Sequence, residues 1–181
     1  MNRYSKLSIA LHWLIALLII AAFALGFYMT DLQFSLTKLK LFSWHKWIGV
    51  TVLALVAIRL INRLFQAAPA YPESMEKWEK VAAHSVHIAL YFFMFAVPLS
   101  GYFYTYAAGF PVVYLGLFEL PAPIAPDPLL KLQLKTLHEI LTTGMLMLIS
   151  LHIAAALKHH FIDKDGITNR MLPRALTKDT Q

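Results

Sequence analysis

The chain contains no cysteine. Disulfides, thiolate zinc sites, iron–sulfur clusters and covalently attached c-type haem are therefore excluded. Charge is scarce too: 14% of the residues are Asp, Glu, Lys or Arg, where a soluble domain carries about 25%. Apolar residues make up the difference, at 59% of 181 against about 45–50% in water-soluble domains. That surplus needs a solvent other than water. The chain also lacks a Gly-rich phosphate loop, a nucleophile motif and any internal repeat. Its net charge of +6 raises nucleic acid as a partner, but the Lys and Arg residues flank apolar runs and do not pattern one soluble face, which argues against it.

Four long apolar stretches are present, at about residues 7–29, 44–65, 81–106 and 136–161. Each reaches across roughly 30 Å of hydrocarbon, which takes about 20 helical residues. None alternates with the period of a strand, and backbone groups in lipid are satisfied only in helices or closed barrels. The expected fold is all-α: an integral membrane four-helix bundle forming a single domain over residues 1–181. The first stretch is longer than a signal-peptide core and carries a histidine, so it reads as a retained span.

Lys and Arg set the orientation. With the N-terminus inside, eleven of them lie on the inner side: Arg3, Lys6, Arg59, Arg63, Lys77, Lys80, Lys158, Lys164, Arg170, Arg174 and Lys178. Five lie outside: Lys38, Lys40, Lys46, Lys131 and Lys135. Both termini are thus expected in the cytoplasm, with residues 162–181 as a cytoplasmic tail. Residues 67–74 form an inner loop, and the proline-rich residues 117–128 an outer one that cannot be a continuous helix.

Ionisable groups in membrane spans are costly and mark function. Six of the eight histidines lie in or beside the spans: His12, His45, His84, His87, His138 and His152. His138 and His152 are fourteen residues apart, which on a helix is about 21 Å and almost four whole turns. They share one face at two depths, so each needs a partner at its own level. The same interval, counted from His12, His45 and His87, reaches Gly26, Arg59 and Gly101. Two layers emerge. The outer layer holds His45 and His138 with Gly26 and Gly101; the inner holds His12, His152, His87 and Arg59. Facing imidazoles with glycines beside them suit a large flat ligand. Two bis-histidine b haems, one per layer, meet this description, whereas a structural zinc needs four tight ligands. Gly49 and Gly144 read as ordinary close helix packing.

The motifs "RYSKLSIALHWLIA", "HKWIGVTVLALVAIRLINRL", "AAHSVHIALYFFMFAVPLSGY" and "LKTLHEILTTGMLMLISLHIAAALKHHF" together resemble the bacterial cytochrome b561 family over nearly the whole chain. The resemblance implies a small four-helix cytochrome with two haem b groups in the bacterial inner membrane. It implies that His12 and His152 hold the inner haem and His45 and His138 the outer one, with His87 as the rival for a place in the inner pair. His84 and His87, three apart, face one side and read with Arg59 as contacts to haem propionates or quinone, since a guanidinium grips carboxylates in a bidentate manner.

A haem with two axial histidines has no open position, so its work is electron transfer. The partner expected in the membrane is ubiquinone, at the inner level where His84, His87, His159 and His160 can exchange protons. Five outer lysines would draw in a small anion, and some members of the family are superoxide oxidases. Three functions are open at this point: a stand-alone superoxide:quinone oxidoreductase, the haem-bearing anchor of a larger dehydrogenase or reductase with a redox protein partner, and a non-redox metal permease. Short loops favour the first over the second.

Overall fold

The computed structural model describes residues 3–66 and 69–173. Arg174 and Lys178, counted above for orientation, lie outside them, as do Ala67 and Ala68 of the inner loop. Four helices carry the architecture: α1 (Lys6–Asp31), α2 (Leu36–Phe65), α3 (Lys77–Ala107) and α4 (Pro128–Lys158). Two short strands, β1 (Val113–Tyr114) and β2 (Phe118–Glu119), form an antiparallel hairpin between α3 and α4. All four helices are long and apolar enough to cross a membrane. The end of the bundle that carries the hairpin is called the hairpin end below, and the opposite one the terminal end.

Each helix starts on a side chain that satisfies an orphan N–H. Ser5 Oγ accepts from Ser8 N (3.2 Å), and Ser35 Oγ accepts from Lys38 N (3.2 Å). Glu76 opens α3 with a reciprocal capping box completed by Glu79. Asp127 Oδ1 accepts from Leu129 N (2.8 Å) and Leu130 N (3.0 Å), with Pro128 supplying the preset φ of a first helical residue. These caps explain why α2 and α4 begin eight residues before their apolar runs, at Leu36 and Pro128. Hydropathy reports what lies in hydrocarbon, whereas a cap sets where the hydrogen-bonded ladder begins. Asp127→Ala should cost about 1 kcal/mol, read as a lower thermal midpoint by circular dichroism.

Close backbone approach is between α1 and α2, α2 and α3, and α3 and α4. The small residues account for part of this: a Cβ on Gly49 would meet Pro98 Cβ at 3.9 Å, and one on Gly144 would meet the Phe93 ring at 3.0 Å. Both fit the packing role expected of them, because helix association in lipid rests on van der Waals contact and not on hydrophobic transfer. The core is an apolar plug between the two histidine levels, built from Ile15, Ile19, Val52, Val56 and Met145, with Leu11 beside His12 at its edge. Met145 is 3% exposed and stands seven residues from both His138 and His152.

The terminal end is closed by the chain after α4. A π-helical turn at His159–Asp163 leads into a short 3-10 turn at Thr168–Arg170. Residues 164–172 then fold back over the bundle. Trp13 Nε1 donates to Met171 O (2.9 Å), Arg3 donates to Leu172 O, and Arg170 Nη1 donates to Ala70 O (2.5 Å). Residues 165–172 therefore lie against the bundle.

Candidate functional site

The seam between the α1/α2 pair and α4 is bridged by imidazoles. His45 on α2 and His138 on α4 have ring centroids 6.4 Å apart at the hairpin end, with ring planes at 87°. At the terminal end His12 on α1 and His152 on α4 are 6.3 Å apart, with planes at 75°. The fourteen-residue interval on α4 thus delivers its two histidines to two separate partners on two different helices, on either side of the Met145 plug. His87 on α3 also reaches His152, at 5.5 Å, so three imidazoles meet at the terminal end.

These spacings test the fit of haem. An imidazole nitrogen bonds a transition metal at about 2 Å and lies roughly 1.1 Å from its own ring centroid, so two rings facing each other across one metal stand about 6.2 Å apart. The 6.4 and 6.3 Å pairs match that distance, and the 5.5 Å contact of His87 is too short for it.

The hairpin-end rings are held as metal-binding imidazoles usually are, through the nitrogen that does not bind. His45 Nδ1 donates to Ala22 O at 3.1 Å. His138 Nδ1 donates to Val97 O at 3.1 Å and lies 2.9 Å from Ser100 Oγ, whose hydroxyl donates to the same carbonyl at 2.8 Å. Each ring's Nε2 is left with its lone pair. Ser100 and the carbonyls of Ala22 and Val97 could not be picked out beforehand, because a carbonyl carries no side-chain signature and a serine in an apolar helix reads as packing.

The two glycines of this layer lie against the imidazoles. A Cβ on Gly101 would lie 3.0 Å from His138 Cε1 and 3.3 Å from its Nδ1, and one on Gly26 would lie 3.4 Å from His45 Cε1. The ring that presses on each is the histidine's own imidazole. Gly101 in particular lets α3 come close enough for its carbonyl at Val97 to reach His138.

The remaining residues are placed as follows. Arg59 Nη1 donates to Ser8 O at 3.0 Å, one turn before His12, so the guanidinium is at the terminal level. Arg63 lies 6.0 Å from the Tyr4 ring. His84 is exposed on α3 and makes no ring contact with the three clustered imidazoles. His159 Nδ1 contacts Asp165 Oδ2 (2.7 Å) and Asp163 Oδ2 (3.1 Å), while Lys158 Nζ bonds Asp163 (2.6 Å) and Glu79 (2.8 Å). That ion-pair group staples the π-helical turn to α3. His160 packs on Phe161.

Comparison with known proteins places the chain in a family. The family described as prokaryotic cytochrome b561 matches residues 3–174. "Cytochrome b561 homolog 2" of Escherichia coli (strain K12) is 35% identical over 96% of this chain and 93% of its own length. "Cytochrome b561 homolog 1" of the same organism is 33% identical over 96% of this chain and 99% of its own. "Probable superoxide oxidase CybB" of Yersinia pestis is 30% identical over 96% and 97%. Four membrane-length helices, paired imidazoles at two depths and a match over almost all of its length lead to one conclusion: the chain belongs to the prokaryotic cytochrome b561 family, multi-pass bacterial membrane proteins that bind b-type haem and carry electrons across the membrane.

Proposed function

We propose that the protein holds two b haems, ligated by His45 with His138 and by His12 with His152, and moves electrons between a small donor outside the inner membrane and ubiquinone. The observation that carries this reading is the pair of imidazole spacings, 6.4 and 6.3 Å, at the two ends of one apolar core. When bound, a bis-histidine haem supplies a one-electron iron couple with no open coordination position. The chain's own part is to hold the rings, exclude water between the levels and position protons. Val52, Val56 and Met145 are 4%, 0% and 3% exposed. A plug this apolar passes electrons and blocks ions, because a charge stripped of partners there is expensive. It disfavours a metal permease, which needs a continuous polar path.

Both termini face the cytoplasm in this reading, by the excess of Lys and Arg at that end. The hairpin end then faces outward. The donor that suits it is superoxide, the reaction named for the Yersinia pestis relative. Two superoxide anions give up one electron each and leave as dioxygen, and the two electrons with two protons turn one quinone into quinol. In this reading His84 and His87, exposed at the terminal end of α3, relay those protons, and Arg59, at the same level, meets a haem propionate.

Steering falls on fewer lysines than their number suggests. Lys38 Nζ is spent on the α1 C-terminus, at Leu32 O (2.6 Å) and Thr30 O (3.3 Å). Lys46 Nζ donates to Pro111 O (3.1 Å), and Lys135 pairs with Glu139 (3.4 Å). The same end carries Asp31, Glu119, Asp127 and Glu139, so its excess of positive charge is small. Lys40 and Lys131 have no such partner among the described residues. Lys40→Gln with Lys131→Gln should slow reduction by superoxide roughly twofold to threefold, the low end of electrostatic steering, and flatten its salt dependence. Stopped-flow haem reduction at several ionic strengths checks this; an unchanged rate removes the steering. Stoichiometric co-purification of a soluble redox subunit would instead make the chain the membrane anchor of a larger complex.

A further inference from the structure

The loop between α3 and α4 is not used by the electron path, and its composition is odd for a water-exposed segment. From residue 110 to residue 126 its one charged side chain is Glu119. Phe110, Leu115, Leu117 and Phe118 are 57%, 51%, 77% and 54% exposed. Contiguous exposed apolar side chains mark a surface that something covers.

The loop is nonetheless firmly built. Tyr102 and Tyr106 on α3 donate to Pro121 O and Leu120 O, and Leu120 N donates to Val112 O at 2.9 Å. Three further bonds tie it to α2: Lys46 to Pro111 O, Trp47 Nε1 to Val113 O at 2.6 Å, and Thr51 Oγ1 with Tyr114 OH at 2.9 Å. Trp47 and Thr51 lie three and seven residues inside Trp44, the start of the apolar run, which along a helix is roughly 5–10 Å. The hairpin therefore folds back beside α2 toward the bilayer and does not stand away from it.

The turn adds an independent observation. Leu115 and Gly116 both have positive φ, at 53° and 73°, and Leu117 N closes onto Tyr114 O at 2.9 Å. Tyr114 pairs with Phe118, so the connection is three residues, Leu115–Leu117. Two successive left-handed residues in a hairpin are usually Asn-Gly or Asp-Gly in water, because Asn tolerates that region better than leucine. A half-exposed leucine in that position carries backbone strain with no gain in water. Against hydrocarbon the preference reverses, since a desolvated amide without a partner is costly there.

We propose that the β1–β2 hairpin is a monotopic membrane element, with Leu115, Leu117 and Phe118 seated in the headgroup–acyl boundary of the lipid leaflet at that end. A two-stranded hairpin has open edges, and unpaired backbone groups are costly in hydrocarbon, so the element stays at the boundary and does not enter the hydrocarbon centre. Trp44 and Trp47 beside it occupy the depth where aromatic belts form. Anchored this way, the hairpin braces the α2 segment that carries His45.

Because the chain has no cysteine, Leu117→Cys offers a unique spin-label site in the full-length, haem-loaded protein. The protein is reconstituted in phosphatidylcholine–phosphatidylglycerol vesicles, with Ile20→Cys as a mid-span reference and Glu73→Cys as a water-exposed one. The expected result is broadening by oxygen with loss of broadening by a water-soluble nickel chelate, at a depth between the two references. Nickel broadening equal to that of Glu73→Cys overturns the proposal by leaving the hairpin in water. Weak broadening by both reagents also overturns it, in favour of a second copy or a protein partner covering the surface. Phe118→Cys reads the same element should Leu117→Cys fail to bind haem.

Discussion

His138→Ala is expected to halve the haem content, from two per chain to one, while the protein still inserts and the terminal-end haem keeps its spectrum. His138 makes one side of the 6.4 Å pair and nothing at the terminal end, fourteen residues away. The core between the levels, with Met145 at its centre, does not include it. A pyridine haemochrome assay against protein concentration reads the loss directly. His45→Ala should give the same half-loss, and His138→Gly should recover haem when free imidazole is supplied, since the space for the ring is retained. His87→Ala should keep both haems, because its 5.5 Å contact with His152 is too short for two rings facing each other across one iron. Two haems retained in His138→Ala would show that the hairpin-end pair is not a ligand pair. One haem lost in His87→Ala would move the terminal-end assignment from His12 to His87.

Gly101→Leu should lose the same haem without touching a ligand. A Cβ at residue 101 already falls 3.0 Å from His138 Cε1, and the ring cannot retreat while its Nδ1 is bonded to Val97 O and lies beside Ser100 Oγ. The larger side chain must expel the imidazole or push α3 from α4. Gly101→Ala should weaken the site more mildly. Gly26→Ala should be tolerated, because its Cβ would stand in ordinary contact with His45 Cε1, at 3.4 Å. Gly144→Ala is the control for packing. Its Cβ would meet the Phe93 ring at 3.0 Å, so it should lower the thermal midpoint and leave haem content unchanged. Haem per chain and the reduced-minus-oxidised spectrum separate these outcomes. Full haem content in Gly101→Leu would mean that the imidazole does not depend on the close approach of α3.

Much of this was legible without coordinates. The four spans follow from apolar run length, because a bilayer accepts no other backbone solution for such runs. The two depths follow from the interval between His138 and His152, because helical rise and twist are constants of the backbone. Gly26 and Gly101 fell out of the same arithmetic. Other features were not legible. The starts of α2 and α4 depend on Ser35 and Asp127 side chains turning back onto the backbone, a signal outside hydropathy. The hairpin depends on tethers between segments far apart in the chain, such as Trp47 to Val113. The fates of Lys38 and Lys46 were hidden for a similar reason, since which carbonyl an ammonium meets is decided by the fold around it.

By itself, the amino-acid sequence determined that this protein crosses a membrane four times and brings imidazoles to two levels, since both follow from local geometry and solvent alone. Only the tertiary structure decided which imidazoles face each other across the bundle, that the glycines receive the histidine rings themselves, and that the α3–α4 loop folds back along α2. Those outcomes depend on how the helices approach one another. That approach is set by van der Waals fit and by hydrogen bonds to carbonyls, neither of which a one-dimensional pattern encodes.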